Sequence, residues 1–165
     1  MYISQIAQIF DTVMSYTKNY QHIIFRTKRS LPTIPLECSD ELYRYIWGFC
    51  KRRNVNLFRI NGMQEHLHLF ADIPTTIAIA DFVRELKAST SHWLKDNPRF
   101  PDFQGWAEGY ASFSYGENEF NKIVNYIRNQ REHHATVSFA DEMRKDVLPL
   151  LSPQEREFFI QSWID

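Results

Sequence analysis

The chain is short of the residues on which several architectures depend. It has only two cysteines in 165 residues, Cys38 and Cys50, which form neither a CxxC pair nor part of a four-ligand zinc pattern. Neither a disulfide scaffold nor a zinc finger is therefore expected. No window approaches the roughly eighteen apolar residues that span a bilayer, and the N-terminus shows no basic stretch followed by a long apolar run. A cytoplasmic protein with no membrane partner is the expectation. Walker A, GxGxxG, HExxH and GxSxG sequences are also missing, which argues against nucleotide hydrolysis, dehydrogenation, metalloproteolysis and esterolysis.

A strong excess of charge of one sign is lacking too. The formal net charge is -1, so the chain is not one that coats nucleic acid through bulk electrostatics. The distribution is uneven, however. Residues 18–59 carry nine Lys and Arg against three acids, whereas residues 131–165 carry four against seven. A basic front half can follow phosphates while the acidic tail faces water or a partner. Hydrophobic residues make up 44% and aromatic residues 15% of the chain, enough to fill one core at a length typical of one domain. One domain over residues 1–165 is expected, with a core of about 16–134 and a helical tail of about 135–165.

Tyr20 to Thr27, rich in aromatic and β-branched residues, reads as a first strand. After Pro32 and Pro35, Ser39 can cap a helix carrying Leu42, Tyr43, Ile46, Trp47 and Cys50 at helical spacing, with Lys51-Arg52-Arg53 at its end. A second strand covers Val55 to Ile60, Asn61-Gly62 offers a tight reversal, and a third covers Met63 to Phe70. A second helix is predicted from Thr75 to about Trp93, with a fourth strand candidate from Trp106 to Phe113. A third helix places Phe120, Ile123, Val124 and Ile127 on its buried side and runs to about Gln130 or beyond. A short helix near Phe139 to Leu148 and an amphipathic piece after Pro153 follow. This order predicts an α+β, ferredoxin-like β-α-β-β-α-β sandwich: one antiparallel sheet with helices on one face and an added C-terminal helix.

Two positions apart on the third strand, His66 and His68 emerge from one face, and Leu67 and Leu69 from the other. If the leucines enter the core, the imidazoles lie on the open side of the sheet, where they can meet a cation. By the same alternation Glu65 points away from them. Two such histidines alone also suit an ordinary solvated sheet face. Tyr126 and Gln130, four apart on the third helix, lie one turn above another. Gln130 can complete a His-His-Gln metal set, and Tyr126 can present its phenol oxygen to a phosphate polarised by that metal. His133 and His134 read as a partly exposed helix end.

The ordered segments Tyr20-Gln21-His22-Ile23-Ile24-Phe25 with Thr27-Lys28, Asn61 to His68, Leu86-Lys87-Ala88-Ser89, Trp106 to Phe113, and Tyr126-Ile127-Arg128-Asn129-Gln130 with His133-His134 resemble the HUH superfamily of single-tyrosine, single-strand DNA transposases. The matching type is insertion-sequence 200/605, including its repetitive-palindrome-associated relatives. That resemblance covers most of residues 16–150. It implies His66, His68 and Gln130 as ligands of Mg²⁺ or Mn²⁺, and Tyr126 as the nucleophile that leaves a 5'-phosphotyrosine and a free 3'-hydroxyl. It also implies single-stranded DNA hairpins as partners and a homodimer that can share its active site between subunits. Lys28, Arg52, Arg53 and Lys87 are the phosphate-contact candidates. Family members commonly carry Asp before the first histidine where this chain has Glu65, a change expected to alter packing around the ligand. A domesticated, non-catalytic hairpin-binding protein is the alternative.

Overall fold

Alternation writes two different faces on the two central strands. In β1 (Tyr20–Arg26) and β3 (His66–Asp72), Ile23, Phe25, Leu67, Leu69 and Ala71 point to one side, while His22, Ile24, His66, His68 and Phe70 point to the other. The computed structural model describes residues 16–164; residues 1–15 and Asp165, which the expected single domain includes, lie outside the described residues.

The first face packs against α1 (Ser39–Arg52) and α2 (Ile79–Asp96) in a dry core of Ile23, Phe25, Leu42, Ile46, Phe49, Leu67, Leu69, Phe82 and Leu86. Helix α1 begins with Asp40 and Glu41 and ends with Lys51 and Arg52, a charge order that complements its dipole. Together with β2 (Asn56–Gly62) and β4 (Ala111–Ser114), the strands form one sheet in the order β2-β3-β1-β4, with every neighbouring pair antiparallel. Each helix thus carries the chain over a strand to the far edge, which is the expected ferredoxin-like arrangement. Among the described residues no helix is long and apolar enough to cross a membrane.

Several boundaries depart from the sequence reading. Asn61 and Gly62 lie within β2, and the reversal falls on the residues between them and His66, with Met63 N–H donating to the His66 carbonyl at 3.0 Å. Gly62 is needed for close approach, since a Cβ there would stand 2.1 Å from the His66 carbonyl oxygen. Helix α2 starts at Ile79 because Pro74 to Ile77 first close a turn, the Ile77 N–H reaching the Pro74 carbonyl at 3.0 Å. The fourth strand is split: Trp106 makes an isolated bridge to Thr27, and continuous pairing with β1 resumes only at Ala111. The carbonyls of Glu108 and Gly109 in the intervening bulge accept from Lys87 Nζ, both at 2.9 Å.

The second face of the sheet is not open. It is covered by α3 (Phe120–Arg128), α4 (Gln130–His133), α5 (Phe139–Glu142) and α6 (Pro153–Phe159), so helices lie on both faces rather than one. One apolar cluster there joins Tyr20 and Phe70 to Ile123 and Ile127; another joins Ile24 to Phe139, Met143, Val147 and Phe159. The charged C-terminal segment supplies these apolar residues at helical spacing, which is why it folds back rather than remaining in water.

Candidate metal and tyrosine site

Between those two apolar clusters lies a buried polar one. His66 and His68 are fully buried, not on an open face, because the helices after β4 roof over them. Leu67 and Leu69 do enter the opposite core, so the alternation holds and only the solvent on the histidine side is replaced by protein. His134, at the end of α4, and Glu142, the last residue of α5, join the pair: one nitrogen or oxygen from each of the four lies within 4.8 Å of the others.

Hydrogen bonds fix which atom of each histidine faces inward. Glu65 precedes the strand, so alternation does not govern it, and its Oε1 accepts from His66 Nδ1 at 2.9 Å. This corrects the expectation that Glu65 points away. With Nδ1 carrying the proton, His66 Nε2 keeps a lone pair. Burial raises the Glu65 pKa, but the bond to His66 together with the electrostatics of the neighbouring imidazoles outweighs it and lowers the value. His134 Nδ1 similarly donates to the Val137 carbonyl at 2.8 Å, leaving Nε2 to face Glu142 Oε2 at 3.1 Å. The His134 side chain is 4% exposed, so it is a member of the cluster and not an exposed helix end. His68 Nδ1 meets His22 Nε2 at 3.0 Å, and His68 Nε2 lies 3.6 Å from Glu142 Oε2. Burial pushes His68 down to about 4 and lowers His22 well below the usual imidazole range, with the His68 neighbour adding to the effect. Both rings are therefore neutral at neutral pH, as metal ligation requires.

At Glu142 burial opposes charge, yet the neighbouring imidazoles of His134 and His68, with the Tyr126 hydroxyl, outweigh it and hold the carboxyl far below the ordinary range. Its Oε1 accepts from Gln130 Nε2 at 2.7 Å and from the Tyr126 hydroxyl. The Tyr126 hydroxyl also lies 3.3 Å from Asp146 Oδ2. Burial first, and then the Glu142 charge, raise the Tyr126 pKa strongly. Tyr126 stands edge-on to His68 with ring centroids 5.9 Å apart, so tyrosine and histidines converge within one chain. Part of this order comes from Asn61, whose Nδ2 donates to the Ile127 and Arg128 carbonyls at 3.0 Å each. It ties the end of α3 to the sheet where Asn129 interrupts the helix before Gln130.

The donor set fits a divalent cation. His66 Nε2, His68 Nε2, Gln130 Oε1, His134 Nε2 and Glu142 Oε2 are all buried without a hydrogen-bond partner. Buried polar atoms are normally paired, and several unpaired atoms of electron-donating type at one place point to a cation that completes them. Three of the five, on His66, His68 and Gln130, were legible as candidates from strand and helix spacing. His134 and Glu142 were not selected. The available signal for Glu142 was an acid at the core-facing phase of a helix, between the buried Phe139 and Met143.

The four basic candidates differ in their partners. Lys28 and Arg52 are exposed. Arg53 places Nε 2.9 Å and Nη2 2.7 Å from Glu85 Oε2, and Lys87 is bound to its two carbonyls, with burial lowering its pKa to about 8.

The family described as "Transposase IS200 like" matches residues 15–130, which include His66, His68, Tyr126 and Gln130 but end before His134 and Glu142. The transposases for insertion sequence element IS200 of Salmonella typhimurium and Salmonella typhi are each 24% identical over 116 residues, covering 67% of this chain and 76% of theirs. Among solved structures, a Deinococcus radiodurans R1 protein described as a candidate transposase is 23% identical. It superimposes with a TM-score of 0.54, covering 72% of this chain and 95% of that one. A REP-associated tyrosine transposase bound to a REP hairpin is 16% identical, with a TM-score of 0.57 over 86% of this chain and 87% of that one. The chain belongs to the IS200-like transposase family.

Proposed function

We propose that this transposase cleaves and rejoins single-stranded DNA beside hairpins, with Tyr126 as nucleophile and Mg²⁺ or Mn²⁺ held by His66, His68 and Gln130 together with His134 and Glu142. The observation that carries the reading is the group of unpartnered buried donor atoms, which also includes His133 Nε2 4.0 Å from Glu142 Oε1, next to the hydroxyl of Tyr126. The imidazole-rich donor set matches Mn²⁺ better than the harder Mg²⁺. The cation, when bound, supplies positive charge that polarises the scissile phosphate.

The remaining chemistry belongs to side chains. A phenol near its ordinary pKa is a weak nucleophile, so its proton must have an acceptor. Asp146 Oδ2, 3.3 Å from the Tyr126 hydroxyl and outside the ligand set, can take it as the tyrosine oxygen bonds to phosphorus. The bond from phosphorus to the 3'-oxygen breaks as that proton passes to the leaving oxygen, giving a 5'-phosphotyrosine and a 3'-hydroxyl, and attack by a 3'-hydroxyl reverses the step. Convergence within one chain supports a site complete in each subunit, so a dimer serves to bring two DNA ends together. Hairpin phosphates meet Lys28 and Arg52 first; Arg53 and Lys87 join them only on leaving Glu85 and the two carbonyls.

A non-catalytic hairpin-binding protein is the second reading. It draws on the two carboxylates beside Tyr126, which oppose formation of a phenolate. A denaturing-gel assay with a single-stranded hairpin oligonucleotide and Mn²⁺ or Mg²⁺ separates the two. A covalent adduct is expected with the native protein and none with Tyr126→Phe. An adduct that survives the substitution rejects Tyr126; tight hairpin binding with no adduct under either metal favours the second reading.

A further inference from the structure

Beside the tyrosine is a cavity of about 540 Å³ that shares His22 and Tyr126 with the metal site. That volume lies within the roughly 300–1,000 Å³ of small-molecule sites. Its walls are of two kinds. Ile24 and Phe113 from the sheet and Val147 from the tail make an apolar interior, with the half-buried ring of Tyr115 along one side. The rest of the lining is polar: Asn125 and Asn129 stand exposed one turn apart on either side of Tyr126, with the charged Glu119, Lys122 and Asp146 also lining the cavity. The Tyr115 ring lies 6.2 Å from that of His22 and tilted by 42°, so the two present aromatic surface to the same space.

An aromatic and apolar slot with amides at its rim suits a heterocycle. A base removed from its stack is held by contact with aromatic and apolar side chains, and read by hydrogen bonds at its edge. Each Asn side chain offers both a donor and an acceptor for that edge. The position relative to Tyr126 decides which base. Attack at phosphorus fixes the scissile phosphate at the tyrosine hydroxyl, so the bases that can reach a cavity walled by the same tyrosine belong to the nucleotides flanking that phosphate.

We propose that this cavity is a nucleobase subsite, which receives one unstacked base next to the scissile phosphate, seats it against Tyr115 and His22, and reads its edge with Asn125 and Asn129. The inference rests on Tyr126 as the attacking group. It assigns the base preference at the cleavage point to the protein, and part of the wall to Val147, beyond the residues matched by the family. Because stacking surfaces accept any base, discrimination among bases falls to the two amides.

The test uses the whole protein and a 5'-fluorescein hairpin oligonucleotide in which a single abasic residue is moved one position at a time along the single-stranded flank. Binding is read by anisotropy with Tyr126→Phe, which separates the subsite from cleavage. One position is expected to weaken binding about tenfold when abasic, its neighbours less than twofold. In Tyr115→Ala with Tyr126→Phe, the native oligonucleotide should bind about as weakly as that abasic one, with no further loss when both changes are combined. Tyr115→Phe should restore binding, because the ring suffices for stacking. A flat abasic profile overturns the subsite, and so do losses that multiply in the combined case. With the native protein, the sensitive position should adjoin the mapped adduct; a sensitive position several nucleotides away also overturns it. An adduct formed by Tyr126→Phe would instead overturn the nucleophile assignment.

Discussion

The two faces of strand β3 are equally buried and chemically opposite. Leu67 and Leu69 on one side, His66 and His68 on the other, are all at 0% exposure. The leucines lie among aliphatic and aromatic neighbours from α1 and α2, where close packing sets most of the energy. The histidines lie beside His134 and Glu142, one ligand atom of each within 4.8 Å of the others, and several of these atoms are unpartnered. Burial therefore marks neither face as functional. Polar atoms left unpaired, at a cost that folding ordinarily avoids, make the difference.

The sharpest way to break this comparison is to truncate one residue from each face. Leu69→Ala is expected to destabilise the cation-free protein by about 2–5 kcal/mol through the cavity it leaves. His68→Ala should cost less than half as much, since it also removes an unpaired buried nitrogen, while abolishing measurable Mn²⁺ binding. Urea midpoints beside Mn²⁺ titrations by electron paramagnetic resonance decide it, and equal destabilisation with Mn²⁺ affinity intact would erase the distinction between the faces.

Glu142→Gln keeps the volume and removes the charge. Mn²⁺ affinity should fall about a hundredfold, ~2.7 kcal/mol, with the far-ultraviolet circular dichroism unchanged. An unaltered affinity would place Glu142 outside the ligand set. Glu65 is one step removed, because it orients His66 without facing the centre. For Glu65→Gln a loss of about tenfold is expected, in the usual range for a group behind a ligand. A loss as large as that of Glu142→Gln would mean that Glu65 is not merely an orienting group.

The smallest effect belongs to the apolar face's own margin, at Lys87. Burial depresses its pKa to about 8, below the value near 10.4 of an unfolded chain. Above the folded value the native state has shed a proton that the unfolded state still binds. Stability contributed by this group therefore rises with pH from about 8 and levels off near 10.4. The side chain is only partly buried, so solvent screening keeps the gain to a few tenths of a kcal/mol. Urea denaturation at pH 7.5 and 10 should show this increment in the native protein and not in Lys87→Met; the same slope in both would remove Lys87 as its origin.

How much of the site was legible follows from the range of each regularity. Period-two alternation placed His66 and His68 on one face and the leucines on the other, and i, i+4 spacing aligned Tyr126 with Gln130, because both rules act within a single element. Glu65 was misjudged because alternation was extended past the end of the strand. The open sheet face was a larger miss. Nothing local in residues 139–164 says which surface their apolar stripe will cover, so neither the roof over the histidines nor the arrival of Glu142 was visible.

By itself the sequence determined the order of strands and helices, the two chemistries of β3 and the tyrosine helix, since these depend on backbone periodicity over a few residues. Only the tertiary structure decided that the acidic tail closes over the second face and carries Glu142 and His134 to the histidines. It also opened a cavity beside Tyr126. Those contacts join residues far apart in the chain, such as His68 and Glu142. Their partners are selected by shape and burial across the whole fold rather than by any local pattern.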